Sequence, residues 1–271
     1  MRDITFGQYY PKKSFIHKLD PRTKILSSII LIVAVFLVEN YWGYIACYSF
    51  LAIMIIASKI PLLSILKTVK GVIIIMIITF IINVLFYKSG NVFASWWIFT
   101  ITDEGMIFGA YMVLRIMFLV ISMSLLTFTT TPMALTDGLE SLLKPLTLIK
   151  IPVHDLATIM SIALRFIPTL TEEVDKIILA QKSRGAAFDN GNIFKRTKAL
   201  LPILIPLFVS TFRRADELAM ALDSRCYNAT PKRTKMKPLK YSLVDLFGVL
   251  SIGLFLALII IIKLGFFGVI K

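Results

Sequence analysis

Asp175-Lys-Ile-Ile-Leu-Ala180-Gln-Lys-Ser183-Arg184-Gly185 and Asp216-Glu-Leu-Ala-Met-Ala221-Leu-Asp-Ser224-Arg225-Cys226 are one short pattern written twice. The Asp, Ala, Ser and Arg of the second copy each follow their counterparts by the same interval (225 − 184 = 41). Each copy reads as a helix with an arginine in its last turn. Ala215, Leu218, Ala219 and Leu222 recur along one helical face, and Val174, Ile177 and Ile178 do so until Gln181 interrupts. Gly185 is a strong stop because glycine takes the left-handed conformation that closes helices, and Cys226 stops a helix less well. A lone arginine there need only answer the negative end of the helix dipole. Two copies with matched flanks point instead to two equivalent sockets on a partner.

Outward from this pair the chain is apolar. Of its 271 residues 57% are hydrophobic and 17% charged, with a mean hydropathy of +0.81. Soluble domains are about 45–50% apolar and 25% charged, so this composition belongs to a membrane protein. The formal charge of +14 lies in segments flanking apolar runs, which fits loops facing anionic lipid better than nucleic acid. Cys47 and Cys226 are too few for a disulfide framework.

Residues 1–24 are polar and basic, read as a cytoplasmic amino-terminal segment with no secretory signal, and Asp20-Pro21 is a helix entry. Residues 25–128 read as a four-span bundle. Its runs are Ile25–Val38, Tyr41–Ala57, Val72–Tyr87 and Gly105–Phe128, with Lys59, Lys67 and Lys70 in a basic turn. The first two runs are shorter than the roughly 20 residues a crossing needs, so their flanks must extend them. A loop with Lys88, Gly90, Asp103 and Glu104 precedes the fourth run, and its Trp96-Trp97 pair suits a membrane interface. Arg115 lies mid-span and Asn83 is the polar residue of the third run. Each is a functional candidate or a side chain packed into a helix contact. Residues 243–271 hold a fifth span.

Residues 129–242 are the difficult part. Leu156–Thr171 and Ala199–Phe212 are apolar, but the first is broken by Arg165 and Pro168 and the second holds Pro202 and Pro206. If both crossed, Arg184 and Arg225 would face opposite compartments against the positive-inside bias. They read as amphipathic helices along the cytoplasmic face, with apolar surface for a partner. The chain lacks a phosphate-cradling Gly-x-x-x-x-Gly-Lys-[Ser/Thr] loop, a nucleophile elbow and spaced histidines, so its sequence offers a scaffold with no cofactor, metal site or catalytic group.

These residues resemble the transmembrane T component of energy-coupling factor transporters. The amino-terminal stretch Tyr10-Pro11…Ser14…His17-Lys18-Leu19-Asp20-Pro21-Arg22-Thr23-Lys24 is similar to that family's, and Ser183-Arg184-Gly185 and Ser224-Arg225-Cys226 stand where it usually has Ala-Arg-Gly. The resemblance implies an all-α polytopic membrane bundle of about five spans with long cytoplasmic coupling helices, in a bacterial cell membrane, amino terminus inside. It implies a non-catalytic subunit of a micronutrient (vitamin or metal ion) importer. Its partners would be two ABC-type ATPases, bound through Ser183, Arg184, Gly185, Ser224, Arg225 and Cys226, and a membrane-embedded substrate-binding S component. The apolar faces would meet the S component at Leu156, Ile159, Pro202, Pro206 and Leu207. A stand-alone secondary transporter is the alternative of another class, without the paired inverted repeats such proteins show. Within the family, a T component dedicated to one cobalt/nickel transporter is the alternative to a shared one.

Overall fold

The computed structural model describes residues 9–87, 89, 91–96, 99–186, 193–227 and 238–264. Eight α-helices and one two-stranded hairpin form among them: α1 (Pro21–Leu37), α2 (Tyr41–Ser58), α3 (Leu62–Phe86), β1 (Val92–Trp96), β2 (Phe99–Thr102), α4 (Asp103–Thr129), α5 (Pro132–Leu143), α6 (Val153–Ser183), α7 (Ile193–Ser224) and α8 (Leu243–Lys263). The chain divides into two compact units, one of His154–Pro238 and the other of Thr5–Val153 with Leu239–Lys271.

The larger unit is the membrane bundle, an all-α polytopic fold. Its core is an apolar cluster that includes Val35 of α1, Cys47 and Leu51 of α2, Phe118 and Leu125 of α4, and Phe255 and Ile259 of α8. In lipid such contacts hold by close packing rather than by expelling water. Hydrogen bonds fix which helix ends lie together. Asp20 caps α1 by accepting from the Arg22 N–H at 2.9 Å. Its own backbone N–H donates to Asp245 Oδ1 at 2.6 Å, and the Thr23 hydroxyl donates to the same oxygen at 3.3 Å. Asp245 also closes the capping box of α8, accepting from the Ser242 N–H at 2.7 Å. At the opposite end Lys263 Nζ meets Glu39 Oε1 at 3.1 Å. Helices α1 and α8 therefore run parallel, pinned at both ends. Although α1 has only 17 residues, about 26 Å at 1.5 Å per residue, it crosses wherever the 21-residue α8 crosses.

The amino-terminal stretch ties this end together. Tyr10 N–H donates to the Phe128 carbonyl, Lys12 Nζ to the Lys59 carbonyl, and buried Lys24 Nζ to the Thr129 carbonyl at 2.9 Å and the His17 carbonyl at 3.4 Å. His17 Nε2 lies 2.9 Å from the Tyr10 carbonyl, which can only accept, so Nε2 carries the proton. Nδ1 then accepts from the Ser14 hydroxyl at 2.7 Å. Burial pushes this imidazole below its ordinary range. The starts of α1, α3 and α8 and the ends of α2 and α4 thus share one face of the bundle, with Lys12, Lys13, Lys18, Arg22, Lys24, Lys59, Lys67 and Lys70. The other face carries Glu39, Asp103, Glu104 and Lys263.

Several expectations need correction. Lys67 and Lys70 are not in a turn: α3 starts at Leu62 and is 25 residues long. The turn is only Lys59–Pro61, with Lys59 left-handed at φ 57°. Lysine is a good helix former, so the helix runs back to the proline that starts it. The segment before α4 is a hairpin rather than a loop, pairing Val92 with Thr102 and Trp96 with Phe99. Its β-branched and aromatic residues favour strands. Lys88, Gly90 and Trp97 lie outside the described residues. Helix α5, unforeseen, is capped by Thr131 and packs on the start of α1, where a Cβ on Gly138 would come within 2.9 Å of Pro21 Cβ. Length and apolarity alone would let α2, α3, α4, α6 and α8 cross a membrane. In α6 that reach comes with seven charged side chains, Asp155 and Arg165 through Lys182.

Candidate functional site

The unit of His154–Pro238 holds both arginine motifs, each at the end of a helix of about thirty residues. The prolines do not break these helices. Pro168 is inside α6, and Pro202 and Pro206 are inside α7. Pro206 has no N–H for the Pro202 carbonyl one turn back, and Gln181 Nε2 of α6 donates to that carbonyl at 3.4 Å instead. A second contact lies further along. Glu173 accepts from the Ser210 hydroxyl and from Arg214 Nη2, each at 2.5 Å. Position 173 thus meets positions 210 and 214 while 181 meets 202, so the helices run antiparallel where they touch.

The two motifs end their helices identically. After α6 the Gly185 N–H donates to the Lys182 carbonyl and the Ala186 N–H to the Gln181 carbonyl, both at 3.0 Å. After α7 the Cys226 N–H donates to Asp223 and the Tyr227 N–H to Leu222, both at 2.9 Å. These paired bonds are the Schellman closure, which needs a left-handed residue just past the cap. Gly185 has φ 84° and Cys226 φ 52°. Cysteine pays the steric cost of that conformation and still adopts it, so the departure from glycine leaves the helix end unchanged. The serines match too: Ser183 Oγ donates to the Leu179 carbonyl at 3.1 Å, and Ser224 Oγ to the Met220 carbonyl.

This leaves Arg184 and Arg225 as cap residues, both exposed, with no side-chain hydrogen bond or ion pair among the described residues. They are far apart. The 23 residues of α7 from Pro202, beside Gln181, to Arg225 span roughly 35 Å at 1.5 Å per residue. No single groove reaches both.

Four of the five residues expected to offer an apolar face lie on the surface of this unit. Leu156 and Ile159 are exposed, Ile159 at 62%, as are Pro202 and Pro206, while Leu207 is half-buried. On α7 the buried Ile203 and the contact residues Ser210 and Arg214 share Leu207's side of the helix. The exposed stripe is Leu201, Leu204, Ile205, Phe208 and Phe212, the last at 68%. Strict spacing of 3, 4 and 7 residues would have found it.

Arg115 and Asn83 both hydrogen-bond within the bundle. Arg115 Nη2 donates to the Val38 carbonyl at 3.2 Å, and its guanidinium lies over the Phe36 ring. Val38 is the C-cap of α1, so Arg115 supplies a cation and a donor to a helix end with unpaired carbonyls. Asn83 donates within its own helix to Thr79 at 2.8 Å.

The sequence matches the family CbiQ, described as "Cobalt transport protein", over residues 12–236. It is 48% identical over 267 residues to the energy-coupling factor transporter transmembrane protein EcfT of Ruminiclostridium cellulolyticum, covering 98% of this chain and 100% of that protein. It is 51% identical over 243 residues to the protein of the same name from Clostridium kluyveri, covering 89% and 90%. With that of Bacillus subtilis it shares 39% identity over 263 residues, 97% of this chain and 99% of the other. With its helical bundle and twin arginine-bearing helix ends, the chain belongs to the family of energy-coupling factor transporter transmembrane proteins.

Proposed function

We propose that this chain is the coupling subunit of an ATP-driven importer in the bacterial cell membrane. It joins two ABC-type ATPases to a separate substrate-binding membrane protein for uptake of a vitamin or metal ion, and does no catalysis itself. Arg184 and Arg225 each enter a groove on one ATPase, flanked by Ser183 and Gly185 or Ser224 and Cys226. The single observation that carries this reading is that two helices end in the same closure, each with an exposed arginine that has no partner among the described residues, the two standing roughly 35 Å apart. Arginine suits the role because its planar five-donor fork stays charged and grips carboxylates bidentately. The concentration of lysines on one end of the bundle supports a cytoplasmic amino terminus. Residues 1–24 and 129–242 then face the ATPases, and 25–128 with 243–271 cross the bilayer.

Movement of the ATPases on nucleotide binding swings α6 and α7, and the exposed apolar residues of both helices carry that motion to the substrate-binding subunit. Leu156, Ile159, Pro202 and Pro206 border that surface, with Leu207 supporting it from the α6 side. Coupling of this kind works by differential binding in two arrangements of the helices. The test is Arg184→Glu combined with Arg225→Glu, followed by co-purification. Breaking a buried charge pair at an interface costs about 2–5 kcal/mol, so the double variant inserts into the membrane and loses both ATPases, while each single variant loses one. Undiminished recovery of both ATPases with the double variant refutes the proposal.

A further inference from the structure

The bundle contains a cavity that the coupling role leaves unused. It measures about 380 Å³ and lies among α1, α2, α4 and α8, with Leu31, Ile53, Ser122, Leu125, Phe247 and Ile252 in its wall. Its wall residues run from Lys24 to Leu31 on α1, Phe50 to Ala57 on α2, Ser122 to Thr129 on α4 and Phe247 to Ile252 on α8. All lie within ten residues of the lysine-rich end of their helices, about 15 Å of a hydrocarbon core of about 30 Å. The cavity therefore occupies one leaflet, the one on the basic side.

The wall is almost wholly apolar, and an apolar cavity of about 150 Å³ already stays dry and takes an apolar guest. This one is more than twice that size. Phe15, Ile53 and Phe247 line it and are also 47%, 63% and 63% exposed, so its opening faces outward at the level of lipid. At its inner end the Ser122 hydroxyl is buried without a partner among the described residues. Lysines flank this lining in sequence, Lys18 next to Leu19 and Lys59 two residues past Ala57. Lys12 reaches across to the Lys59 carbonyl with one of its three donors, Lys18 and Lys59 are exposed, and none of the three forms an ion pair among the described residues. The nearby carboxylates Asp20 and Asp245 are turned toward backbone N–H groups at the helix starts.

We infer that this cavity is a lipid site, taking one acyl chain of an anionic phospholipid whose phosphate rests against Lys12, Lys18 and Lys59. The leaflet depth matches a chain entering from that interface, and the unpaired lysines favour a negative headgroup over a zwitterionic one. The experiment uses the full chain in nanodiscs of phosphatidylglycerol and phosphatidylcholine, with a photoreactive diazirine at the chain terminus of one lipid or the other. The expected result is cross-linking to Leu31, Ser122, Leu125 and Ile252, which bulk lipid cannot reach because each is at most 5% exposed. The phosphatidylglycerol probe labels them at least about fivefold more than the phosphatidylcholine probe, the ratio that even one of the three lysines near an anionic headgroup supplies. Filling the cavity with Ala57→Phe and Ser251→Leu removes this labelling. Labels confined to outward residues such as Ile74 and Ile78 of α3, in the unaltered chain, overturn the site. Equal labelling by the two probes overturns its anionic preference.

Discussion

Gly185 and Cys226 hold the same backbone conformation with different side chains, which makes a signed prediction possible. A residue with a Cβ loses roughly 1–2 kcal/mol in the left-handed region, and glycine gives back about half of that through its freer unfolded chain. A Cβ placed on Gly185 would touch nothing within 4 Å, so no clash complicates the arithmetic. Gly185→Ala should therefore weaken the end of α6 by about 1 kcal/mol, and Cys226→Gly should strengthen the end of α7 by a similar amount. The assay is amide hydrogen exchange of the intact protein, which reports local opening. At about 1 kcal/mol the closing amide of Ala186 exchanges about fivefold faster in Gly185→Ala, and that of Tyr227 slows comparably in Cys226→Gly. Attachment of the ATPase that receives Arg184 weakens in parallel. Changes of the same sign at both ends, or none at Ala186, would refute the claim that the left-handed residue sets these caps.

Three further outcomes are expected. Gln181→Leu destabilises the α6–α7 pair by about 0.5–1 kcal/mol, the net worth of one hydrogen bond, and does so only while Pro206 is present. In a Pro206→Ala background the helix supplies its own donor to the Pro202 carbonyl, so a double-mutant cycle on thermal unfolding reads the coupling. Lys24→Met leaves the Thr129 and His17 carbonyls without their donor and lowers stability by about 2–3 kcal/mol, measured as a fall in Tm of the detergent-solubilised chain. His17 is held below its ordinary pKa by burial, so it stabilises the fold fully above the unfolded value of 6.5 and loses that contribution as pH falls below it. Tm should drop between pH 7.5 and 5 in the unaltered protein, and drop less in His17→Asn.

Much of this molecule is written locally. Asp20-Pro21 announces the start of α1, the apolar runs locate the bundle helices, and the repeated Ser-Arg pair marks two helix ends. What escaped a linear reading depends on partners distant in sequence. Pro202 and Pro206 predict a broken segment because proline removes a donor, and the Gln181 amide that covers one freed carbonyl sits on another helix. Arg115 looks like an intramembrane charge in need of a function until the C-cap carbonyl of Val38, 77 residues away, turns out to face it. Leu207 adjoins Pro206 in sequence, and the helical period puts it on the side that meets α6. Helix α5 is too short and too mixed in composition to stand out, and it is fixed by Thr131 and by its fit against Pro21.

The bond from the Asp20 N–H to Asp245 spans 225 residues. During synthesis at about 5–20 residues per second, the first helix enters the membrane tens of seconds before the carboxylate that completes its entrance exists. Helices α4 and α5 reach both ends of α1 earlier, and α8 adds the last neighbour there, since Lys263 arrives later still. The seam between α1 and α8 therefore closes only when translation is nearly complete, and a chain ended before Asp245 leaves the Asp20 N–H and the Thr23 hydroxyl without that acceptor.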